Sequence, residues 1–260
     1  KLALKAQALT LDVKVGSGAF LQDPAQAREL CRTMIGLGER AQRRCLALLS
    51  DMNQPLGRAV GNALEIRESL EVLKGGGPED LRTLTLALAA LMVLTAGLEP
   101  DLERARERVA PLLGNGQALE AFKAFVAAQG GDIRALDDPE RLPQAPHRQE
   151  LHADRSGILV AVDTRELGLA AVELGAGRLR QNDPVDPAAG FLWQLRLGRT
   201  VEAGQTMAIL HTSLPDRLDG AGERMRRACR ILPPQDCPPG WAPPPLIHAW
   251  MDHQGEYPWP

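Results

Sequence analysis

The sequence predicts an α/β fold in which a partial mixed or parallel sheet with packed helices is followed by a small β-rich domain. Three observations support this prediction: a strand–helix–strand pattern near the start, several helical segments through the middle, and short strands separated by turn residues toward the end. The 260 residues, of which 44% are hydrophobic, suffice for one large domain or two smaller ones.

The first elements form a predicted βαβ unit. Residues 8–15 (ALTLDVKV) are rich in β-formers and run into Gly-Ser-Gly at 16–18, which indicates a strand ending in a sharp turn. Asp23 followed by Pro24 is typical of a helix start. Residues 45–49 (CLALL) read as a second buried strand. Strand, helix and strand in this order favour parallel pairing with a right-handed crossover.

The middle of the sequence has the periodicity of helices. Apolar residues recur at helical spacing, and glycine clusters end two of the segments. The predicted helices cover residues 63–74, 79–96, 98–113 and 117–129.

Beyond a Pro-rich stretch the pattern changes to short strands with turn signals. A final helix is predicted at about 216–230, before a tail rich in Pro and Trp whose end we expect to be poorly ordered. The strand candidates are residues 151–162, 168–174, 191–195 and 206–211. The predicted division is 1–136 for the α/β domain, 137–146 for a linker, 147–232 for the β-rich domain and 233–260 for the tail.

Composition excludes several classes of function. A net charge of −3 gives no electrostatic footprint for nucleic acid. No apolar stretch reaches the roughly 20 residues that a membrane-spanning helix needs. The four cysteines have no Cys-x-x-Cys spacing, which favours reduced thiols and a cytoplasmic protein, and the five histidines show no zinc-ligand spacing.

Four motifs then resemble those of the thymidine and pyrimidine nucleoside phosphorylase family. They occur in family order and spacing, and only the tail after Ile247 departs from the family pattern. The motifs are residues 12–20 (DVKVGSGAF), 51–65 (DMNQPLGRAVGNALE), 125–132 (FVAAQGGD), and 163–165 (DTR) together with 174–178 (LGAGR).

The resemblance implies reversible phosphorolysis in pyrimidine salvage. Inorganic phosphate attacks the anomeric carbon of a thymidine- or uridine-type nucleoside, giving the free base and a (deoxy)ribose 1-phosphate. The family is homodimeric and uses no organic cofactor. Its phosphate cradle and catalytic residues correspond to positions upstream of Lys1, so we assign no catalytic residue here. We interpret the sequence as the C-terminal part of such an enzyme, inactive in isolation.

Two alternatives remain open. A catalytically inactive, truncated relative would keep the fold as a binding or structural module. A phosphoribosyltransferase of the same overall fold is less well supported, because that relative lacks the C-terminal β module.

The resemblance also implies four binding residues. Phe20 matches a position that lines the pocket around the pyrimidine ring, although an ordinary core Phe after a turn is the alternative. Leu56, Ala59 and Glu68 match positions that bind a structural potassium ion, two through backbone carbonyls and one through its carboxylate. The family's remaining ligands correspond to positions upstream of Lys1. Oxygen ligands suit such a hard cation. The alternative for Glu68 is a solvated helix residue.

Two other features have competing interpretations. The Gly-Ser-Gly turn at 16–18 could cradle phosphate, but a tight turn near the active cleft is favoured because the next helix starts about five residues later. Lys14 is expected in a salt bridge. Residues 147–212 resemble the barrel-sandwich module of biotin and lipoyl carriers, yet this segment contains no lysine and cannot carry such a cofactor covalently.

Overall fold

The computed structural model of the chain describes residues 6–178 and 180–260. Its helices are α1 (Pro24–Arg40), α2 (Asn62–Leu73), α3 (Glu79–Thr95), α4 (Leu102–Val109), α5 (Gln117–Ala128), α6 (Arg134–Asp137), α7 (Thr164–Leu174) and α8 (Leu218–Arg227). Its strands are β1 (Ala8–Val15), β2 (Arg44–Asp51), β3 (Ala59–Val60), β4 (His147–His152), β5 (Gly157–Val162), β6 (Gly190–Trp193), β7 (Thr200–Val201), β8 (Thr206–Thr212), β9 (Cys229–Leu232), β10 (Ile247–Met251) and β11 (Glu256–Tyr257).

The predicted parallel strand pair is confirmed. β1 and β2 pair in parallel along their whole lengths, from Ala8 opposite Arg44 to Val15 opposite Asp51. α1 connects them, and the carboxylate of its N-cap, Asp23, accepts the backbone N–H of Ala25 at 2.9 Å. Both strands therefore end at the same edge of the sheet, which places the loops that follow them side by side.

The tail, whose end was expected to be poorly ordered, completes this sheet instead. The strand order is β1-β2-β10-β11, with β10 antiparallel to β2. Ile247, Ala249 and Met251 are buried, as expected for one face of a strand. Trp250 stacks on Tyr257 with ring centroids 4.6 Å apart. The prediction for the end of the tail was wrong, and the sheet is mixed.

Helix α3 covers one face of the sheet. Leu84, Ala87 and Leu91 of α3 pack with Leu46 and Leu48 of β2 in one buried cluster. On the opposite face, α1 packs its own buried side chains in a second cluster with β1, β2 and β10. Within the described residues, no helix is both long and apolar enough to cross a membrane.

The second half contains two further sheets, ordered β3-β6-β8-β4 and β7-β5-β9. None of the described sheets closes into a barrel, so the barrel-sandwich expectation is not confirmed. The core between them includes Phe191 and Trp193, both fully buried, and is covered by α7 and α8. β3, which lies within the predicted first domain, pairs with β6 of the second.

Two strand predictions in this half are corrected. Residues 168–174 belong to α7, because the carboxylate of Asp163 accepts the backbone N–H of Glu166 at 3.1 Å and starts a helix. Residues 151–162 are not one strand, since β4 ends at His152 and β5 begins at Gly157.

Candidate functional site

A cavity of about 320 Å³ lies beside the carboxyl end of β2. It is bounded by the loop after β2, by α2, and by α7 with the start of β6. The side chains around it are mostly apolar, with two carboxylates among them. Its lining residues are Met52, Pro55, Leu56, Ala59, Val60, Glu65, Glu68, Ser69, Leu81, Thr164, Leu167, Gly168 and Phe191. Leu56, Ala59 and Glu68 thus border one space.

Glu68 is the buried carboxylate of this cavity. Glu68 is only 8% exposed, so the alternative of a solvated helix residue is wrong. Oε1 accepts the backbone N–H groups of Arg58 at 2.8 Å and Ala59 at 3.2 Å. Burial raises the pKa of Glu68, and the two backbone hydrogen bonds act in the opposite direction.

Two arginine side chains of this region pair with other carboxylates. Arg67 pairs with Glu140 at 2.7 Å, and Arg196 lies 3.4 Å from Asp80. No ion pair joins Glu68 to a basic residue in the part of the chain that the structure describes. A desolvated carboxylate without a cationic partner suits a small cation.

Gly57 allows this carboxylate to approach the loop. Its φ is +66°, a left-handed conformation, and a Cβ built on it would lie 2.2 Å from Oε2 of Glu68. Only glycine therefore leaves room for the carboxylate between Leu56 and Ala59. The residues present fit a hard cation bound by backbone oxygens and one carboxylate.

The loop before α2 is also held from the second half of the chain. Arg196 donates from Nη1 to the Pro55 carbonyl at 3.3 Å and from Nη2 to the Gly57 carbonyl. Asp80 Oδ2 accepts the backbone N–H of Gly57 at 3.1 Å. The side chain of Gln54 accepts the backbone N–H of Leu197 at 3.0 Å.

The Gly-Ser-Gly turn after β1 touches the same loop. Gly18 donates its N–H to the Met52 carbonyl at 3.0 Å, and Ser17 donates its N–H to Asn53 Oδ1 at 3.0 Å. The Gly16 N–H is taken by the Leu21 carbonyl at 3.3 Å. Since these amides already have partners, the geometry favours the tight turn over a phosphate cradle.

Phe20 is separate from this cavity. Its side chain is fully exposed, so the alternative of an ordinary core Phe is wrong. Phe20 does not line the cavity. The turn that precedes it does contact Met52, which is one of the lining residues. Its role in a pyrimidine pocket stays a prediction. Lys14 pairs with Asp12, as expected for a salt bridge.

The sequence gives no indication of the roles of Arg196, Asp80 and Gln54. Arg196 and Gly57 are 139 positions apart, and no local pattern connects the arginine to this loop. Only the glycines and the family motif around Leu56 pointed to this loop.

Two family models match the chain. The model described as "Glycosyl transferase family, a/b domain" matches residues 1–119, and the one described as "Pyrimidine nucleoside phosphorylase C-terminal domain" matches residues 158–232. Together they cover about three quarters of the chain.

Curated relatives agree with both. The chain is 43% identical to the pyrimidine-nucleoside phosphorylases of Staphylococcus aureus strains USA300, N315 and bovine RF122 over 216 residues, which are 83% of this chain and 50% of each relative. It spans about half the length of the curated relatives it matches. With both family models in order and this identity, the chain belongs to the pyrimidine nucleoside phosphorylase family.

Proposed function

We propose that this chain is part of a pentosyltransferase that phosphorolyses thymidine- or uridine-type nucleosides. One observation carries the proposal: the two family-matched regions meet at the cavity beside the carboxyl end of β2. Leu56, Ala59 and Glu68 come from the region matched to the glycosyl transferase model, and Thr164 and Phe191 from the region matched to the C-terminal domain. The relatives named as pyrimidine-nucleoside phosphorylases supply the substrate class.

The proposed reaction is a displacement at the anomeric carbon. A phosphate oxygen forms the new bond to the anomeric carbon. The bond between that carbon and the pyrimidine nitrogen breaks, and its electrons leave with the base. The products are the free base and (deoxy)ribose 1-phosphate. An oxocarbenium-like transition state gains most from positioning and charge stabilisation. We propose that Phe20 contributes an apolar wall that packs on the pyrimidine edge.

A potassium ion is the proposed inorganic component. Leu56 and Ala59 would bind it through backbone carbonyls, and Glu68 through its carboxylate. When bound, the ion would supply positive charge that offsets the buried carboxylate. The residues of the chain keep the loop fixed: Gly57 admits the carboxylate, and the Glu68 oxygens hold the N–H groups of Arg58 and Ala59.

The proposal extends to the organisation of the protein. We infer an α/β region at 1–136, a linker at 137–146 and a β-rich domain at 147–232. Residues 233–260 return to the first sheet through β10. A homodimer acting in cytoplasmic pyrimidine salvage, without an organic cofactor, is the assembly and role that family membership favours.

Complementation tests the function. The purified chain alone, incubated with thymidine or uridine and phosphate, is expected to release no free base. It is then combined with the half of the Staphylococcus aureus relative that it does not match, and turnover is expected. The relative divided at the same point is the positive control. Turnover by that control without turnover by the hybrid would instead support an inactive binding or structural module.

A further inference from the structure

We propose that Arg196 is the positioning residue through which the β-rich domain holds the cation-binding loop in its binding conformation. This inference rests on the proposed potassium site. Arg196 is not itself a ligand: it contacts the loop next to Leu56, and its charge has the same sign as the ion.

The guanidinium spans the peptide units on both sides of Leu56. Nη1 donates to the Pro55 carbonyl at 3.3 Å, and Nη2 donates to the Gly57 carbonyl. These two residues flank Leu56 in the loop. A planar guanidinium fixes two acceptors at once, whereas an ammonium group acts as a single compact charge.

Asp80 closes a ring of contacts around Gly57. Its Oδ2 accepts the Gly57 N–H at 3.1 Å and lies 3.4 Å from Nη2 of Arg196. Both donor and acceptor of the Gly57 peptide groups are therefore held by side chains from other elements. Asp80 lies in the first turn of α3, and Arg196 follows β6, so three separate parts of the fold meet here.

Glu68 holds the other end of the same loop. It accepts the N–H groups of Arg58 and Ala59. The segment between Pro55 and Ala59 is thus fixed by Arg196 on one flank and by Glu68 on the other. A loop ordered before the ion arrives loses little conformational entropy on binding. Loss of Arg196 would release one flank and weaken cation binding.

A positioning role and simple electrostatics predict opposite changes in potassium affinity when Arg196 is substituted. Removing a positive charge near the site strengthens cation binding if only Coulomb interactions matter. If Arg196 orders the loop, removing it weakens binding. Groups that orient metal ligands typically change metal affinity by about 10- to 100-fold when substituted. The direction of the change in affinity therefore distinguishes the two.

The experiment measures the Tm of the chain as KCl replaces tetramethylammonium chloride at constant ionic strength. We expect the Tm of the unsubstituted chain to rise with potassium as the folded state is stabilised by RT ln(1 + c/Kd), where c is the potassium concentration. Fitting this rise gives Kd, the potassium concentration at half-saturation of the site. In Arg196→Gln the potassium concentration at half-saturation should increase about tenfold or more. Arg199→Gln is the matched control. It removes the same charge from an exposed arginine three positions away and should leave the half-saturation point unchanged.

A second variant, Arg196→Lys, keeps the charge and the aliphatic stem. It should also bind potassium more weakly, because one ammonium cannot span both carbonyls and Asp80. Should Arg196→Gln fail to fold, this variant decides alone.

Each outcome is decisive. If potassium does not specifically raise the Tm of the unsubstituted chain, the proposed cation site is contradicted. A normal rise in that chain, with an unchanged or lower half-saturation point in the Arg196 variants, would overturn only the positioning role. A lower starting Tm with an unchanged half-saturation point would show that Arg196 stabilises the fold without shaping the site.

Discussion

The hydroxyl of Ser17 donates a 2.7 Å hydrogen bond to the carbonyl of Val162, 145 positions further along the chain. The same oxygen accepts the backbone N–H of Thr164 at 3.1 Å. One small side chain thus joins the turn after β1 to the end of β5 and the start of α7. The two family-matched regions are connected by specific contacts at the edge of the sheet where the cavity lies.

Ser17→Ala should weaken this connection. The substitution leaves the Val162 carbonyl and the Thr164 N–H without their partner, so we expect a loss of about 1–3 kcal/mol in the free energy of unfolding. Urea denaturation measures it. Ser213→Ala is the control, because Ser213 is exposed, and it should stay within about 0.5 kcal/mol. Equal effects of the two substitutions would contradict the connecting role of Ser17.

Gly57→Ala should lower the free energy of unfolding by more than the left-handed conformation of Gly57 alone explains. Gly57 and Gly116 both have positive φ, +66° and +84°. A Cβ on Gly57 would meet Glu68, whereas one on Gly116 has no neighbour within 4 Å. Gly116→Ala should therefore cost only the left-handed strain of about 1–2 kcal/mol, and Gly57→Ala should cost more. Comparing the two free energies of unfolding isolates the contact with Glu68.

Met251→Ala tests whether the C-terminal strand is part of the core. Met251 is 1% exposed and packs against α1, so truncation should lower the free energy of unfolding by about 2–5 kcal/mol. Met92→Ala removes the same atoms from a residue that is 62% exposed, and should change the free energy of unfolding only slightly. If Met251→Ala were as mild as Met92→Ala, β10 would not pack on the sheet in solution.

Thiol reactivity should separate the four cysteines. Burial raises the pKa of Cys31 to about 11 and that of Cys229 to about 12, and it also raises the pKa of Cys45. Because the thiolate is the reactive form, these three should react very slowly with a disulfide reagent at pH 8 in the native chain. Cys229 and Cys237 are both partly exposed, but Cys229 has the raised pKa, so Cys237 should react first. All four should react rapidly in denaturant; native labelling of Cys229 as fast as that of Cys237 would contradict its raised pKa.

Local signals predicted most of the elements in the first half of the fold. The strand predicted at 8–15 coincides with β1, since its β-formers end at a glycine turn. Asp23 and Pro24 correctly marked the start of α1. In the second half, the cap Asp163 with Glu166 three positions later is an equally local helix signal, but the short apolar run after it was interpreted as a strand.

Long-range pairing could not be predicted in the same way. The prolines and tryptophans of the tail dominated its composition, whereas the alternating burial of Ile247, Ala249 and Met251 depends on β2, about 200 positions away. The same limit applies to the site. The family motif identified Leu56, Ala59 and Glu68, but nothing local indicated that Arg196 would reach their loop.

Crystals of the chain soaked in thallium(I), which replaces potassium and scatters anomalously, test the central claim most directly. The account predicts an anomalous peak in the cavity bounded by Leu56, Ala59 and Glu68, and its loss in Glu68→Gln. An empty cavity under conditions where thallium occupies other positions, or a peak that persists unchanged in Glu68→Gln, would contradict the account.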